Sequence, residues 1–223
     1  MVKTIISITG DYSHEGRVID HCIQRVVSLL DEAVIYENVP LDALADALSK
    51  NPDLVILSSE NRYMLQQTGL SEWLTPEIST QITTYVAHGG SWLALHSGMS
   101  NYPIDSDYIQ MLKGYFVRHP EPLAVTYKCE LAEAPRQFVI HDEHYQVGFV
   151  DEFTNIFLRS FSDAGESVAG WRHFYGSGKV AGYVPAHNRE GMLNQENLAL
   201  LKTVVNWLLK HQSSVRWKQY LKE

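Results

Sequence analysis

Asp53-Leu54-Val55-Ile56-Leu57-Ser58 is the stretch that decides the fold. Its four central residues are all apolar and no polar residue interrupts them. A strand without alternation is covered on both faces, as strands are inside a parallel sheet flanked by helices. Upstream, Lys3–Gly10 (KTIISITG) is β-branched, apolar and closed by Gly, so it reads as a second such strand. Between the two, Glu15–Leu30 carries apolar residues at helical spacing, namely Val18, Ile19, Cys22, Ile23, Val26, Val27 and Leu30. Ala33–Tyr36 reads as a strand and Leu41–Lys50 as a short amphipathic helix. Downstream, Pro76–His88 predicts a helix with Pro in its first turn, ended by Gly89 and Gly90. Ser91–His96 (SWLALH) is the next strand. The order β-α-β-α-β-α-β predicts an α/β fold of the three-layer α/β/α kind, doubly wound around a mostly parallel sheet with right-handed crossovers.

The second half is less regular. Leu123–Cys129 and Gln137–Ile140 read as strands. Val168–Tyr175 and Lys179–Val184 flank Gly176-Ser177-Gly178, which signals a β-hairpin. Asn194–His211 reads as a closing helix. No repeat or linker stands out, so residues 1–212 are expected to form one domain, with 213–223 as a C-terminal tail.

Composition narrows the function classes. The chain has 223 residues and a net charge of -8. That charge argues against a general nucleic-acid binder, which needs clustered Lys and Arg for phosphate. Two cysteines, Cys22 and Cys129, imply no disulfide framework. The apolar run near the start is too short for a signal segment or a membrane span. A cytoplasmic protein with no membrane partner is the resulting expectation.

In open parallel sheets, ligands bind beyond the carboxyl ends of the strands. Asp11, Tyr12 and His14 follow the first strand. Glu60 and Asn61 follow the third. His96, Ser97 and Gly98 end the fourth. His141-Asp142-Glu143-His144-Tyr145 follows Gln137–Ile140, and His187 follows Lys179–Val184. Histidine with carboxylate is a ligand set for Zn, Fe or Mn. The same residues serve general acid–base chemistry near neutral pH. The spacing matches no local ligand motif, so the signal rests on predicted strand ends. A lone loop histidine is more often structural. His88 reads as a partner of its helix terminus, His21 and His211 as surface, and the tryptophans as core or pocket wall.

Several segments, taken in order, resemble the ThuA-like (trehalose utilisation) family. They are Gly89-Gly90-Ser91-Trp92-Leu93-Ala94-Leu95-His96-Ser97-Gly98, Gly114-Tyr115-Phe116-Val117-Arg118-His119-Pro120, Asp142-Glu143-His144-Tyr145, and Ala169-Gly170-Trp171 through Gly176-Ser177-Gly178-Lys179-Val180. His14 and His187 fall at matching positions, although Ala186 stands where the family has Gly. The resemblance implies a class I glutamine amidotransferase-like, flavodoxin-like fold. Amidotransferases of that fold use a Cys on an elbow after a central strand. Here the turn reads Leu95-His96-Ser97-Gly98, so Cys-dependent glutaminase chemistry is not expected. Ser97 lacks the G-x-S-x-G context of a substitute nucleophile.

The resemblance also implies an enzyme acting on a sugar or keto-sugar derivative, a hydrolase, lyase or isomerase. In that reading His14, His96 and His187 hold one divalent metal (Zn, Mn or Fe). Glu143, His96 and His144 are catalytic, and Tyr145, Trp171, Ser97, Glu60 and His119 contact substrate. No nucleotide cofactor is expected. The partner would be a small sugar-like molecule, and a homo-oligomer is the lean. The competing reading is a non-catalytic sugar- or protein-binding domain whose histidines are structural. Residual amidotransferase or peptidase activity is a third reading, resting on fold alone. Convergence separates the first two: catalysis requires His14, His96, Glu143 and His187 to line one pocket.

Overall fold

A computed structural model describes residues 2–65, 69–134, 137–150 and 155–210. The tail from 211 onward, including His211, lies outside them. In chain order the strands are β1 Lys3–Thr9, β2 Val34–Asn38, β3 Leu54–Ser58, β4 Arg62–Leu65, β5 Gly69–Glu72, β6 Ser91–Leu95, β7 Gly114–Arg118, β8 Leu123–Cys129, β9 Gln137–Asp142, β10 Gln146–Phe149, β11 Asn155–Ser162, β12 Gly165–Tyr175 and β13 Gly178–Tyr183. The helices are α1 Gly16–Ser28, α2 Leu44–Ser49, α3 Pro76–Ala87, α4 Asp107–Leu112, α5 Arg189–Met192 and α6 Gln195–Leu209.

Nine strands form the main sheet in the order β2-β1-β3-β6-β13-β12-β11-β8-β9. From β2 to β13 every pairing is parallel. That half has the doubly wound order in which the chain reverses direction across the sheet after β2. β3 and β6 are buried at every residue, as their unbroken apolar runs require. β2, at the edge, is half exposed. On one face α1 packs with α5 and α6; α2, α3 and α4 pack together in a second group. Thr75 caps α3 by accepting from the Ile78 amide, with Pro76 in the first turn. Trp92 and Trp171 are fully buried in the core.

From β13 to β9 the pairings are antiparallel. Four strand steps in a flat sheet would separate β13 and β9 by about 19 Å. Yet the His187 amide, past the end of β13, donates to the Asp142 carboxylate at the end of β9 over 2.8 Å. Asn188 Nδ2 likewise donates to the His141 carbonyl. This half of the sheet therefore curls back on itself. Two register irregularities interrupt the β11–β12 pairing, one extra residue in each strand, and such bulges raise the local twist.

At the end of β6 the chain turns sharply. His96 adopts φ 47°, the left-handed region that a side chain enters only at a cost. Two residues on, a Cβ at Gly98 would lie 2.1 Å from the Leu57 carbonyl oxygen, so the turn packs backbone against backbone there. The turn fixes His96 over the middle of the sheet edge.

Candidate metal and acid–base site

His14, His96, Glu143 and His187 each offer one ligand atom, and these atoms all lie within 4.8 Å of one another. They arrive from the carboxyl ends of β1, β6, β9 and β13. The imidazole rings of His14 and His96 are 5.0 Å apart, those of His14 and His187 4.9 Å. Glu143 Oε2 lies 3.4 Å from His187 Nδ1 and 3.6 Å from His96 Nε2.

The hydrogen bonds around the rings decide which nitrogens face inward. His96 Nδ1 lies 2.8 Å from the Val184 carbonyl, which only accepts, so Nδ1 carries the proton. Its Nε2 then holds a lone pair. His14 Nδ1 lies 2.6 Å from Asp11 Oδ1 and donates to it, leaving Nε2 free in the same way. His14 Nε2, His96 Nε2 and His187 Nδ1 are buried and have no hydrogen-bond partner. Three orphaned nitrogens aimed at one carboxylate form a costly arrangement unless something shared satisfies them. A divalent metal fits this donor set. Three histidines and one acid suit Zn, Mn or Fe, and a carboxylate or carbonyl accepting from the far ring nitrogen is how such ligands are held.

Asp11 is that carboxylate for His14. Oδ1 also accepts from the Ser13 and His14 amides, and Oδ2 from the Glu60 amide. Burial alone would raise its pKa. The hydrogen bond and charge of His14, with Ser97 and the Glu60 amide, outweigh burial and lower it to about 2. Burial pushes the His187 imidazole down, toward the neutral form a metal requires, against the opposing pull of Glu143. Burial also works against the Glu143 carboxylate, but His96, His187 and His119 hold it below its usual range.

The depression of Asp11 predicts a pH signature. A carboxyl whose folded value lies below its unfolded 3.8 stabilises the fold above that pH. The contribution fades as pH falls from about 4 to 2. Asp11→Asn is therefore expected to cost about 2 kcal/mol at neutral pH. Chemical denaturation should show the two proteins converging below pH 3; a gap that stays constant down to pH 2 would contradict the pairing.

Residues 4–208 match the ThuA family, described as trehalose utilisation. The chain belongs to the ThuA family. Among solved structures, a ThuA-like protein from Parabacteroides merdae ATCC 43184 aligns at 13% identity and TM-score 0.73, covering 96% of this chain and 93% of that one. A second, from Bacteroides uniformis ATCC 8492, aligns at 14% identity and TM-score 0.65, covering 91% and 89%. A β-galactosidase from Rahnella sp. R3 aligns at 11% identity and TM-score 0.63, covering 94% of this chain but 32% of that enzyme. At such identities the likeness establishes the shared fold. No curated protein matches the sequence.

Of the other ThuA-family positions singled out in the sequence, two border the cluster. The Tyr145 ring lies 4.3 Å from that of His96, and His119 stacks on Tyr145 with its Nε2 3.7 Å from Glu143. Ser97 is buried beside Asp11. Glu60 is buried and engaged with Arg62, while its backbone amide supports Asp11. Two do not join the cluster, although the sequence places His144 among the catalytic residues and Trp171 among the substrate contacts. His144 has both ring nitrogens bound by the Ser160 and Ser162 hydroxyls of β11. Trp171 is core: its indole N–H donates to the Leu112 carbonyl and its ring fills the space above Gly114 and Gly182.

Both cysteines lie elsewhere. Cys22, on α1, donates to the Met192 carbonyl, and burial pushes its thiol up to about 12. Cys129, on β8, is also raised by burial. Neither supplies a thiolate at neutral pH. Asp11 and Asp142 are the functional positions whose roles the sequence reading passed over. Asp142 is fully buried, accepts from Tyr127 as well as from the His187 amide, and so anchors one histidine of the cluster. Their signal was proximity: each lies within three residues of a cluster member. Among the described residues no helix is long and apolar enough to cross a membrane.

Proposed function

We propose that this chain is an enzyme of carbohydrate metabolism that acts on a sugar or keto-sugar derivative by metal-assisted acid–base chemistry. The observation that carries the reading is the set of three partnerless imidazole nitrogens gathered with Glu143 inside 4.8 Å. His14, His96 and His187 would hold a divalent metal, with Glu143 beside it. Such an ion supplies Lewis-acid polarisation of a carbonyl or hydroxyl.

The chain's own residues supply the rest. Asp11 and the Val184 carbonyl fix the tautomers of His14 and His96. Glu143, kept as a carboxylate, is the base that takes a proton next to a substrate carbonyl and returns it. His119 stands 3.7 Å away on the more open side, its Nδ1 held by the Pro120 carbonyl, so its Nε2 faces Glu143 and incoming substrate. Tyr145 and Phe116 form an aromatic wall, their rings 4.4 Å apart. Such walls suit the apolar faces of sugar rings.

The test is elemental analysis of protein purified without a His-tag, paired with proton exchange in D2O. Near-stoichiometric Zn, Mn or Fe is expected. Keto-sugars should exchange the hydrogen next to the carbonyl in a chelator-sensitive way, read by proton NMR. No metal after incubation with each ion, and no exchange with any keto-sugar, would overturn the enzyme reading in favour of a binding domain.

A further inference from the structure

A groove of about 240 Å³ is lined by Glu15, Arg17, Val18, His21, Arg189 and Leu193. Arg17 and His21 stand four residues apart on α1 and share one face. Arg189 opens α5, which packs against α1. Arg17, His21 and Arg189 are exposed. Neither arginine makes an ion pair among the described residues. Acids outnumber Lys and Arg in this chain, 26 to 18, so partners were plentiful. The only acid in the lining is Glu15, and it is exposed and bonds neither arginine.

The groove sits on the same sheet edge as the histidine cluster. Arg17 follows His14 by three residues and Arg189 follows His187 by two. Their α-carbons are thus within about 11 and 7 Å of the respective histidines. The mounting is firm on the α5 side. Asn188 caps α5 through the Gly191 amide, ties it to β9 through the His141 carbonyl, and Asn197 holds the Gly191 carbonyl.

We infer that this groove is an anion subsite, binding a phosphate or carboxylate of a substrate whose reacting end lies at the histidine cluster. The inference rests on the sugar-enzyme reading and narrows its substrate to an acidic sugar derivative, a sugar phosphate or a sugar acid. Guanidinium presents a planar fork that grips either anion with two parallel bonds. His21 adds a third donor. A neutral sugar leaves all three unused.

Calorimetric titration at low ionic strength tests this, with glucose 6-phosphate, gluconate, inorganic phosphate and glucose as probes. The wild type should bind at least one of glucose 6-phosphate and gluconate at least about tenfold more tightly than glucose. The stronger of the two identifies the anion. The Arg17→Gln/Arg189→Gln double variant should lose that preference while its metal content and thermal stability stay at wild-type values. Equal affinity for acidic and neutral sugars, or a preference that survives in the double variant, would overturn the inference and leave the metal-site reading standing. Arginine-dependent binding of inorganic phosphate by a protein that takes up no metal would support the groove while the enzyme reading failed.

Discussion

His96→Ala protein is expected to carry less than about one-tenth of an equivalent of metal, because it leaves only His14 and His187 of the three imidazoles proposed to hold the ion, and sites of this kind need three protein ligands. Loss of a group that only orients a ligand's ring weakens such sites by about 10–100-fold, and loss of a ligand itself matters more. His96 is fully buried at the end of β6, and its ring lies 5.0 Å from that of His14 and 5.6 Å from that of His187. Its removal also leaves the Val184 carbonyl unpaired, which costs about 1–3 kcal/mol. The fold should survive that loss, because the buried strands around β6 are untouched. The backbone provides a control. His96 sits at φ 47°, so an alanine there keeps the left-handed strain and a glycine relieves it, a difference of about 1 kcal/mol. His96→Gly should therefore lose the metal as completely as His96→Ala while melting at a higher temperature. Elemental analysis and thermal unfolding of both variants read the two effects separately. Near-stoichiometric metal in both would place the ion somewhere other than this cluster.

The parallel half of the fold was legible because physics writes it locally. β1, β3 and β6 are buried on both faces, so their sequences lack alternation, and Gly89-Gly90 punctuates the helix before β6. The loops past these strands had to fall on one edge, which is why His14 and His96 were legible as neighbours. The antiparallel half was harder. β11 was not foreseen, although Asn155–Ser162 joins β12 to β8 in the half of the sheet that curls. Without that curl nothing in the sequence says that the end of β9 returns to the end of β13. The β4–β5 hairpin, the β7–β10 pair, α4 and α5 are each six residues or fewer, too short for periodicity to declare them. His144 falls outside the cluster for a related reason. It adjoins Glu143, but both lie past the end of β9, where the Tyr145 amide donates to the Glu143 carbonyl across a tight turn that parts their side chains. Sequence proximity to the site therefore recommended a residue whose ring lies against Ser160 and Ser162 instead. Trp171 was drawn toward the pocket by a motif that serves packing: Gly114 and Gly182 are glycines because its ring occupies the space a Cβ would need.

That pair of neighbours, Glu143 and His144, offers the sharper test of chemistry. Glu143→Gln keeps the shape of the side chain and removes its charge and its basicity. Three histidines lie within 3.7 Å of its carboxylate, at 3.4, 3.6 and 3.7 Å, so the amide would meet the same rings without drawing a proton from substrate. Exchange of the hydrogen next to a keto-sugar carbonyl should fall by about 10²–10⁴-fold, the usual contribution of a positioned base. Metal content should fall less than in His96→Ala, since all three imidazoles remain. His144→Ala should do the reverse. Both of its ring nitrogens serve the serines of β11, so the variant takes a partner from the buried Ser160 hydroxyl and from the half-buried Ser162 hydroxyl and leaves a cavity beside β11. Stability should drop by about 2–4 kcal/mol while exchange per folded molecule and metal content hold. Proton NMR in D2O, normalised to the folded fraction from circular dichroism, compares the two variants directly. Exchange that persists in Glu143→Gln would remove Glu143 from the proton-transfer role. Exchange that vanishes in folded His144→Ala would restore His144 to it, because a residue that only braces β11 has no means of stopping chemistry at a cluster it does not join.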